Sequence, residues 1–504
     1  MSSSKPDLTT TAGRLTDLRN RLAEAKAPVG QESIEQVHAA GRSTARERVE
    51  ALFDTGTFVE TDALARHRVE AYKMDRNKPA TDGVVTGYGL VDGRRVCVFS
   101  QDSTIFDGAL GEVHAEKILK IYDLATKTGV PLVGIYDSTG PRVAEGIVTA
   151  AMHARLLRAA TTASGLIPQI AVVVGETSSL ASISMPLADV TIMVEGSTLH
   201  LTDPQIVTTV SGTDATAESL GGAAVHTTET GLAHLTAATD EEAVQLVRDV
   251  VGFLPANNRA ATPIAEAAEP DASDLDAFMP DDEHATYDVR EIIAAVTDGD
   301  FLELRAAYAD NIVTGFARIG GRAVGIVANQ PSVLAGCLSN DAAYKAARFI
   351  RACDSFNLPL VLFVDSPGFV PAADEEHAGV VSGAAALAYA FAEAQVGTLT
   401  VVTRKALGPA YALMGPKDLG ADLVFAWPTA QIALADAPTA AAALGVDADA
   451  YAEANLTPYA ATERGLVDSV IEPSTTRANV LEGLRLLERK VVYPPAKKHG
   501  NIPL

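Results

Sequence analysis

Short apolar runs suited to buried strands alternate along the chain with stretches whose apolar positions recur every three to four residues. Two β-rich runs flank a Gly93-Arg94 turn, periodic apolar residues from Ala115 to Ala125 predict a helix, and Pro131 to Tyr136 reads as a buried strand ending in Asp137-Ser138. The same order returns around Gly321-Arg322, from Ala342 to Cys353, and from Pro359 to Val364 before Asp365-Ser366. The recurrence is in register. Val85-Thr86-Gly87-Tyr88, Gly93-Arg94, Val96 and Val98 reappear as Val313-Thr314-Gly315-Phe316, Gly321-Arg322, Val324 and Ile326, an offset of 228 (314 − 86 = 228). That offset also carries Lys117 onto Lys345, Pro131-Leu132 onto Pro359-Leu360, and Asp137-Ser138 with Gly140 onto Asp365-Ser366 with Gly368. Two unrelated α/β segments would share strands but not aligned polar residues and glycines, so the chain holds two copies of one β-β-α unit rather than a simple Rossmann sheet.

Between the copies, Pro255 to Asp288 is rich in Pro, Ala, Asp and Glu and has little periodicity, which is a linker pattern. Domains are expected at 1–260 and 290–504, with an acidic Pro/Ala linker over 261–289. With 47% hydrophobic and 21% charged residues the 504-residue chain is globular material, and its formal charge of −24 opposes binding to nucleic-acid phosphate or an anionic membrane. Cys97, Cys337 and Cys353 are too far apart in sequence for a disulfide framework or a four-cysteine zinc site, so no metal is expected and a reducing cytoplasm fits best. Ser2 to Gly30 is polar and charged without an apolar signal core, and no run of about 18 apolar residues occurs. The expected protein is soluble, unexported and without a membrane partner.

The chain has no G-x-S-x-G elbow, H-E-x-x-H pair, Walker A loop or strand-linked G-x-G-x-x-G. Lys73-Met74 superficially matches a biotin attachment site, but a carrier needs its lysine on a tight hairpin, and Asp75-Arg76-Asn77-Lys78-Pro79 follows, which reads as a solvated loop. Asp281-Asp282-Glu283-His284 likewise reads as a solvated acidic face rather than a metal cluster. What remains are turns after buried strands: Asp137 to Arg142, Asp365 to Phe369, Ser178 to Ala181 and Gly408 to Ala410. A strand, a turn of small residues and a helix start form a natural oxyanion hole, because the first backbone N–H groups point out of the helix unpaired. Tight turn packing is the competing reading, and local sequence alone favours it.

Longer motifs identify a resemblance. Gly41-Arg42-Ser43-Thr44-Ala45-Arg46-Glu47-Arg48, Phe99-Ser100-Gln101-Asp102, Gly111-Glu112, Ser164 to Ile170, Val327 to Pro331, Lys345 to Phe349, Trp427 to Ala433 and the terminal His499-Gly500-Asn501-Ile502-Pro503-Leu504 resemble the carboxyltransferase β subunits of propionyl-CoA and related acyl-CoA carboxylases, over nearly the whole chain. The resemblance implies an α/β fold of two crotonase-like ββα superhelices, and a ring-shaped hexamer in which the N-terminal half of one chain faces the C-terminal half of a neighbour. It also implies a separate α subunit with biotin carboxylase and biotin carrier domains. An acyl-CoA would be the substrate, carboxybiotin the carboxyl donor, and biotin's ureido nitrogen the acceptor of the α-proton. The protein would supply two oxyanion holes, for the thioester enolate in the N-terminal half and for biotin's oxygen in the C-terminal half.

At those holes the sequence departs from the family. Ala-Gly-Gly-Ala is replaced by Ser178-Ser179-Leu180-Ala181 and Gly-Gly-Ala-Tyr by Gly408-Pro409-Ala410-Tyr411. The implied backbone donors are Leu180, Ala181, Pro409 and Ala410, with Ser138, Gly140, Ser179, Gly408, Tyr411 and Ala412 lining substrate. Pro409 has no N–H, and Leu180 brings bulk where backbone should approach substrate. Asp137-Ser138-Thr139-Gly140-Pro141-Arg142, Ser382-Gly383 in place of an Arg-Arg pair, and Leu434 to Thr439 depart further. Two readings follow: a working carboxyltransferase with a remodelled site, in which Ala412 leaves room for a longer acyl chain, or a catalytically silent β subunit in a mixed hexamer. The loss of donors at both holes favours the silent reading for this chain's own site. A crotonase-type hydrolase or isomerase would need an acid such as Glu145 or Glu176 at the hole, and Arg42 and Arg46 are candidates for CoA phosphates.

Overall fold

The computed structural model describes residues 6–270 and 273–503; the first residues of the polar N-terminus and two residues of the expected linker lie outside it. The chain divides around 253–258 into two compact units, with Phe253–Pro255 packed into the second and Ala256–Asn258 into the first.

Each unit is built on one eight-stranded sheet, and the two sheets share a topology. In the first, the order is β1 (Val59–Thr61), β2 (Val84–Val91), β3 (Arg94–Gln101), β4 (Leu132–Ser138), β5 (Gln169–Ser178), β6 (Val190–Val194) and β8 (Leu235–Ala237), with β7 (Thr198–His200) beside the end of β5. The second runs β9 (Leu302–Leu304), β10 (Ile312–Ile319), β11 (Arg322–Asn329), β12 (Leu360–Ser366), β13 (Thr398–Leu407), β14 (Leu423–Ala426) and β16 (Ser469–Val470), with β15 (Gln431–Ala433) beside β13. β1–β2–β3 and β9–β10–β11 are antiparallel, whereas the strands beyond them pair in parallel. The helices Glu112–Thr128 and Asn340–Ser355 connect the parallel strands, as their apolar spacing requires.

The duplicated residues have duplicated jobs. Lys117 Nζ donates to the carbonyls of Thr81 and Val84, and Lys345 Nζ to those of Arg305, Tyr308, Ala309 and Ile312. Val84 and Ile312 are the first residues of β2 and β10, so each buried lysine staples its helix to the entry of the first long strand. The Gly-Arg turns are pinned from below. Asp54 accepts the N–H groups of Asp92 and Gly93 at 3.1 and 2.8 Å, and Asp298 those of Gly320 and Gly321 at 3.0 and 2.7 Å. Gly93 and Gly321 hold φ of 76° and 77°, the left-handed region these two-residue turns need.

Phe99, Ile118, Ile121, Leu132 and Val173 fill the first core, and Ile293, Val324, Phe363, Val401 and Trp427 the second. The acidic stretch after Pro255 is more than a tether. Leu275 and Tyr287 are buried in the second core, Ile264 bridges to Arg322, and the Ala265 N–H donates to the Gly321 carbonyl at 2.9 Å. Isolated apolar anchors, rather than a helical or alternating stripe, explain its lack of period. Among the described residues no helix is long and apolar enough to cross a membrane.

Candidate functional site

The candidate turns sit at the carboxyl ends of equivalent strands. In the first unit the β4–β5 ladder shifts register between Tyr136 and Ser138, and in the second the β12–β13 ladder shifts between Val364 and Ser366. Such bulges redirect the strand ends. Ser138 is fully buried, and its Oγ faces the Gly140 N–H at 3.3 Å. Gly140 has φ of 95°, and a Cβ there would lie 2.9 Å from Ser179 Cβ and 3.1 Å from the Ser178 carbonyl oxygen. The structure therefore brings Ser138, Gly140 and Ser179 together, across two strands of one sheet.

Ser178 ends β5 and caps the 3₁₀ helix Ser179–Leu187. Ser179 is held at φ of 57°, an uncommon conformation for a residue with a Cβ. In a 3₁₀ turn the third N–H returns to the cap carbonyl, which leaves the N–H groups of Ser179 and Leu180 without an acceptor in their own helix. Ala181 is buried, while Ser179 and Leu180 are partly exposed.

The second unit makes the corresponding turn at Gly408, whose φ of 52° and ψ of −123° are open to glycine alone. A Cβ there would meet the Leu434 carbonyl oxygen at 2.9 Å. The Gly408 N–H donates to the Ala433 carbonyl at 2.9 Å, and the short helix Pro409–Leu413 follows. Its first intrahelical bond runs from the Ala412 N–H to the Gly408 carbonyl at 3.2 Å, so Pro409 contributes no donor while Ala410 and Tyr411 each present one. The Tyr411 hydroxyl is buried without a hydrogen-bond partner, and burial pushes its pKa up. Ala412 is exposed beside it.

Several other sequence candidates take structural roles. Asp137 is buried at the end of β4 and accepts Arg42 Nη2 and Ser103 Oγ, both at 2.8 Å; Asp365 in the second unit accepts Arg404 Nε and the Lys405 N–H, both at 2.9 Å. Arg46 makes a two-pronged pair with Glu60 at 2.8 and 2.9 Å. Arg42 and Arg46 each pair with a carboxylate in this structure. Glu145 Oε2 accepts the Glu112 N–H at 2.7 Å and Oε1 pairs with Arg142 at 2.9 Å, so it caps a helix rather than standing free as an acid. At Gly383 an added Cβ would lie 2.6 Å from Asn340 Oδ1, which leaves no space for an arginine. Lys73 sits at a left-handed φ of 64° before a short 3₁₀ turn, not on a hairpin. Among the described residues no three His, Cys, Asp or Glu groups are placed to hold a metal, Asp281–His284 included.

Glu176 is different. It lies on β5, not in a loop, and its side chain is half exposed. Ser178 Oγ donates to Glu176 Oε1 at 3.2 Å, and His200 Nε2 lies 3.9 Å from the same oxygen. Sequence reasoning does not single out His200, because only the β5–β7 pairing brings it to Ser178.

Comparison with known proteins agrees with this geometry. The model of the carboxyl transferase domain matches residues 36–502. The chain is 47% identical to the biotin-dependent acetyl-/propionyl-coenzyme A carboxylase beta5 subunit of Mycobacterium tuberculosis, over 99% of this chain and 96% of that one. It is also 47% identical to the propionyl-CoA carboxylase beta chain of Saccharopolyspora erythraea, over 99% and 97%. Among solved structures, transcarboxylase 12S, a hexamer with methylmalonyl-coenzyme A and methylmalonic acid bound, superposes with a TM-score of 0.96 at 40% identity, covering 98% of this chain and 99% of that one.

Proposed function

The chain belongs to the carboxyl transferase domain family, and from that premise we propose that it is the carboxyltransferase β subunit of a biotin-dependent acyl-CoA carboxylase. The carrying observation is the pair of equivalent turns, each with two backbone N–H groups left without an acceptor in their own helix: Ser179 and Leu180 in the first unit, Ala410 and Tyr411 in the second. Two acceptors of developing negative charge are what carboxyl transfer between two carbonyl compounds presents. In this reading the first unit takes the acyl-CoA and the second the biotin. The Ser179 and Leu180 N–H groups hold the thioester oxygen as it gains charge, and Gly140 lets the chain pass close to Ser179. The Ala410 and Tyr411 N–H groups hold the ureido oxygen, with the Tyr411 hydroxyl free to add a bond. Biotin arrives carboxylated on a separate subunit and supplies both the carboxyl group and a basic ureido nitrogen. Hexamer assembly with that subunit belongs to the same proposal, supported by the hexameric transcarboxylase 12S, and exposed Ala412 leaves room for acetyl, propionyl or longer chains.

A silent subunit in a mixed hexamer is the second reading, favoured by Pro409 and by the Leu180 side chain at the first hole. Carboxylation of acetyl- and propionyl-CoA, measured with the biotin-bearing subunit and this chain as the sole β subunit, separates the two. Turnover well above the biotin-bearing subunit alone supports the working site. Turnover that appears only when a second β chain is added supports the silent one.

A further inference from the structure

We propose that Glu176, backed by His200, moves the α-proton of a CoA thioester held at the first-unit turn, which gives the chain an α-hydrogen exchange activity that needs no biotin. The inference rests on the acyl-CoA reading of that turn. Its evidence lies in three side chains from two strands. Glu176 and Ser178 are two residues apart on β5 and share a face, while β7 sets His200 opposite Ser178. Glu176 Oε1 receives the Ser178 hydroxyl at 3.2 Å and has His200 Nε2 at 3.9 Å.

The imidazole's tautomer is fixed by its other nitrogen. His200 Nδ1 lies 3.1 Å from the Thr202 carbonyl, which only accepts, so Nδ1 carries the hydrogen. In the neutral ring Nε2 is then a bare lone pair. It is buried, has no hydrogen-bond partner, and faces a carboxylate. Two acceptors set against each other, the nitrogen buried and the carboxylate half exposed, leave the nitrogen without a hydrogen bond unless a proton lies between them. The imidazole lone pair and the carboxylate therefore face each other with no donor between them. The His200 side chain is 4% exposed and that of Glu176 50%, so the carboxylate is the member that substrate reaches and the imidazole the one shielded behind it.

Position does the rest. Ser178, one hydrogen bond from the carboxylate, is also the cap from which the Ser179 and Leu180 N–H groups project. A base beside two oxyanion donors is the minimum that enolisation of a thioester requires. The fold itself does not demand this trio. At the same ladder positions of the second unit stand Lys405, Leu407 and Ala433, which cannot form it.

The step balances without a co-reactant. The Glu176 carboxylate takes the α-hydrogen as a proton, the C–H bond pair moves to form the enolate C=C bond, and the thioester oxygen takes the negative charge facing the Ser179 and Leu180 N–H groups. The proton exchanges with water from the half-exposed Glu176 carboxyl, and the reverse step returns a solvent proton to the α-carbon. The product is the same thioester with its α-hydrogen replaced. Glu176 is the catalytic residue here and His200 a positioning residue.

The test incubates the purified full-length chain, free of any biotin-bearing protein, with propionyl-CoA in D₂O and follows α-deuterium by NMR or mass spectrometry, alongside direct measurement of propionyl-CoA binding. Expected are saturable deuterium incorporation, a fall of roughly 10²-fold or more in Glu176→Gln, and, in His200→Gln, a lower kcat for exchange at an unchanged KM. Thermal melts of both variants establish that they are folded. Binding without exchange, or exchange equally fast in Glu176→Gln, overturns this inference and leaves the carboxyltransferase reading intact. Failure to bind propionyl-CoA at all overturns both.

Discussion

Replacing Pro409 by glycine tests whether the second hole is limited by a missing donor. The helix Pro409–Leu413 makes its first internal bond at Ala412, so its outward positions are 409, 410 and 411, and only the first lacks an N–H. Gly408 already carries the left-handed turn, with its N–H on the Ala433 carbonyl, so the substitution adds one donor without asking the strand end to change. Removing one donor from a well-formed oxyanion hole costs about 2.7–4 kcal/mol of barrier stabilisation, or about 10²–10³ in kcat. Restoring one beside two existing donors should recover a substantial part of that. The cost falls on stability: exchanging a proline for a glycine at a helix start frees the unfolded chain by about 1–2 kcal/mol. The assay is acyl-CoA carboxylation with the biotin-bearing subunit, in parallel with a thermal melt. The expected result is a kcat raised at least tenfold, little change in KM for acyl-CoA, and a melting temperature lowered by a few degrees. A folded Pro409→Gly protein whose kcat stays within threefold of the parent would refute the donor argument and locate the limitation at Leu180 or beyond.

Other outcomes follow from the buried charges. Asp365→Asn strands Arg404, whose side chain is 8% exposed, and should cost about 3–5 kcal/mol in chemical denaturation, with part recovered in Asp365→Asn/Arg404→Met; an unaffected midpoint would show that the pair is dispensable. Glu145→Gln weakens a helix cap and an ion pair, so it should lower the melting temperature and leave the pH profile of carboxylation in place; loss of one limb of that profile would instead make Glu145 an acid catalyst. Burial lowers the Lys345 pKa from 10.5 to about 7. Between those values the unfolded chain binds more protons than the folded one, so this residue makes stability rise with pH from about 7 to about 10.5, an increment lost as pH falls through 7. Lys345→Met should remove that rise from denaturation curves, and an identical pH dependence in the variant would count against it.

The architecture was legible because the repeat aligns more than strands. The 228 offset relates β2, β3 and β4 to β10, β11 and β12 residue for residue, since the segments between the strands are equal in length. It slips by one residue at β13, where helices of different length precede the strand, and by five at β15. Lys117 and Lys345 showed in the sequence as matching letters, and their cause, carbonyls gathered at a strand entry, needed coordinates. Asp54 and Asp298 were invisible for the same reason: each lies far along the chain from the turn it pins. The turns themselves were found from their small residues. Which N–H groups they expose was not, because that depends on a 3₁₀ start at Ser179 against an α-helical start at Pro409. Motifs flag arginines without naming partners, so the pairing of Arg42 with Asp137 and of Arg46 with Glu60 was not legible in the sequence.

Where the two copies agree and where they part points to the chemistry. Buried positions that hold the sheet repeat nearly in kind: lysine for lysine, Asp-Ser for Asp-Ser, a glycine in the turn. At the carboxyl ends of β5 and β13 the ladder positions are equivalent, yet Glu176, Ser178 and His200 stand against Lys405, Leu407 and Ala433. A structural requirement would have constrained both copies alike, because both sheets are cut to the same pattern and both turns follow the same bulge. An anionic end on one copy and a cationic one on the other is what the two guests proposed above call for. The first suits a substrate that must lose a proton from carbon, and the second a group that carries negative charge on oxygen.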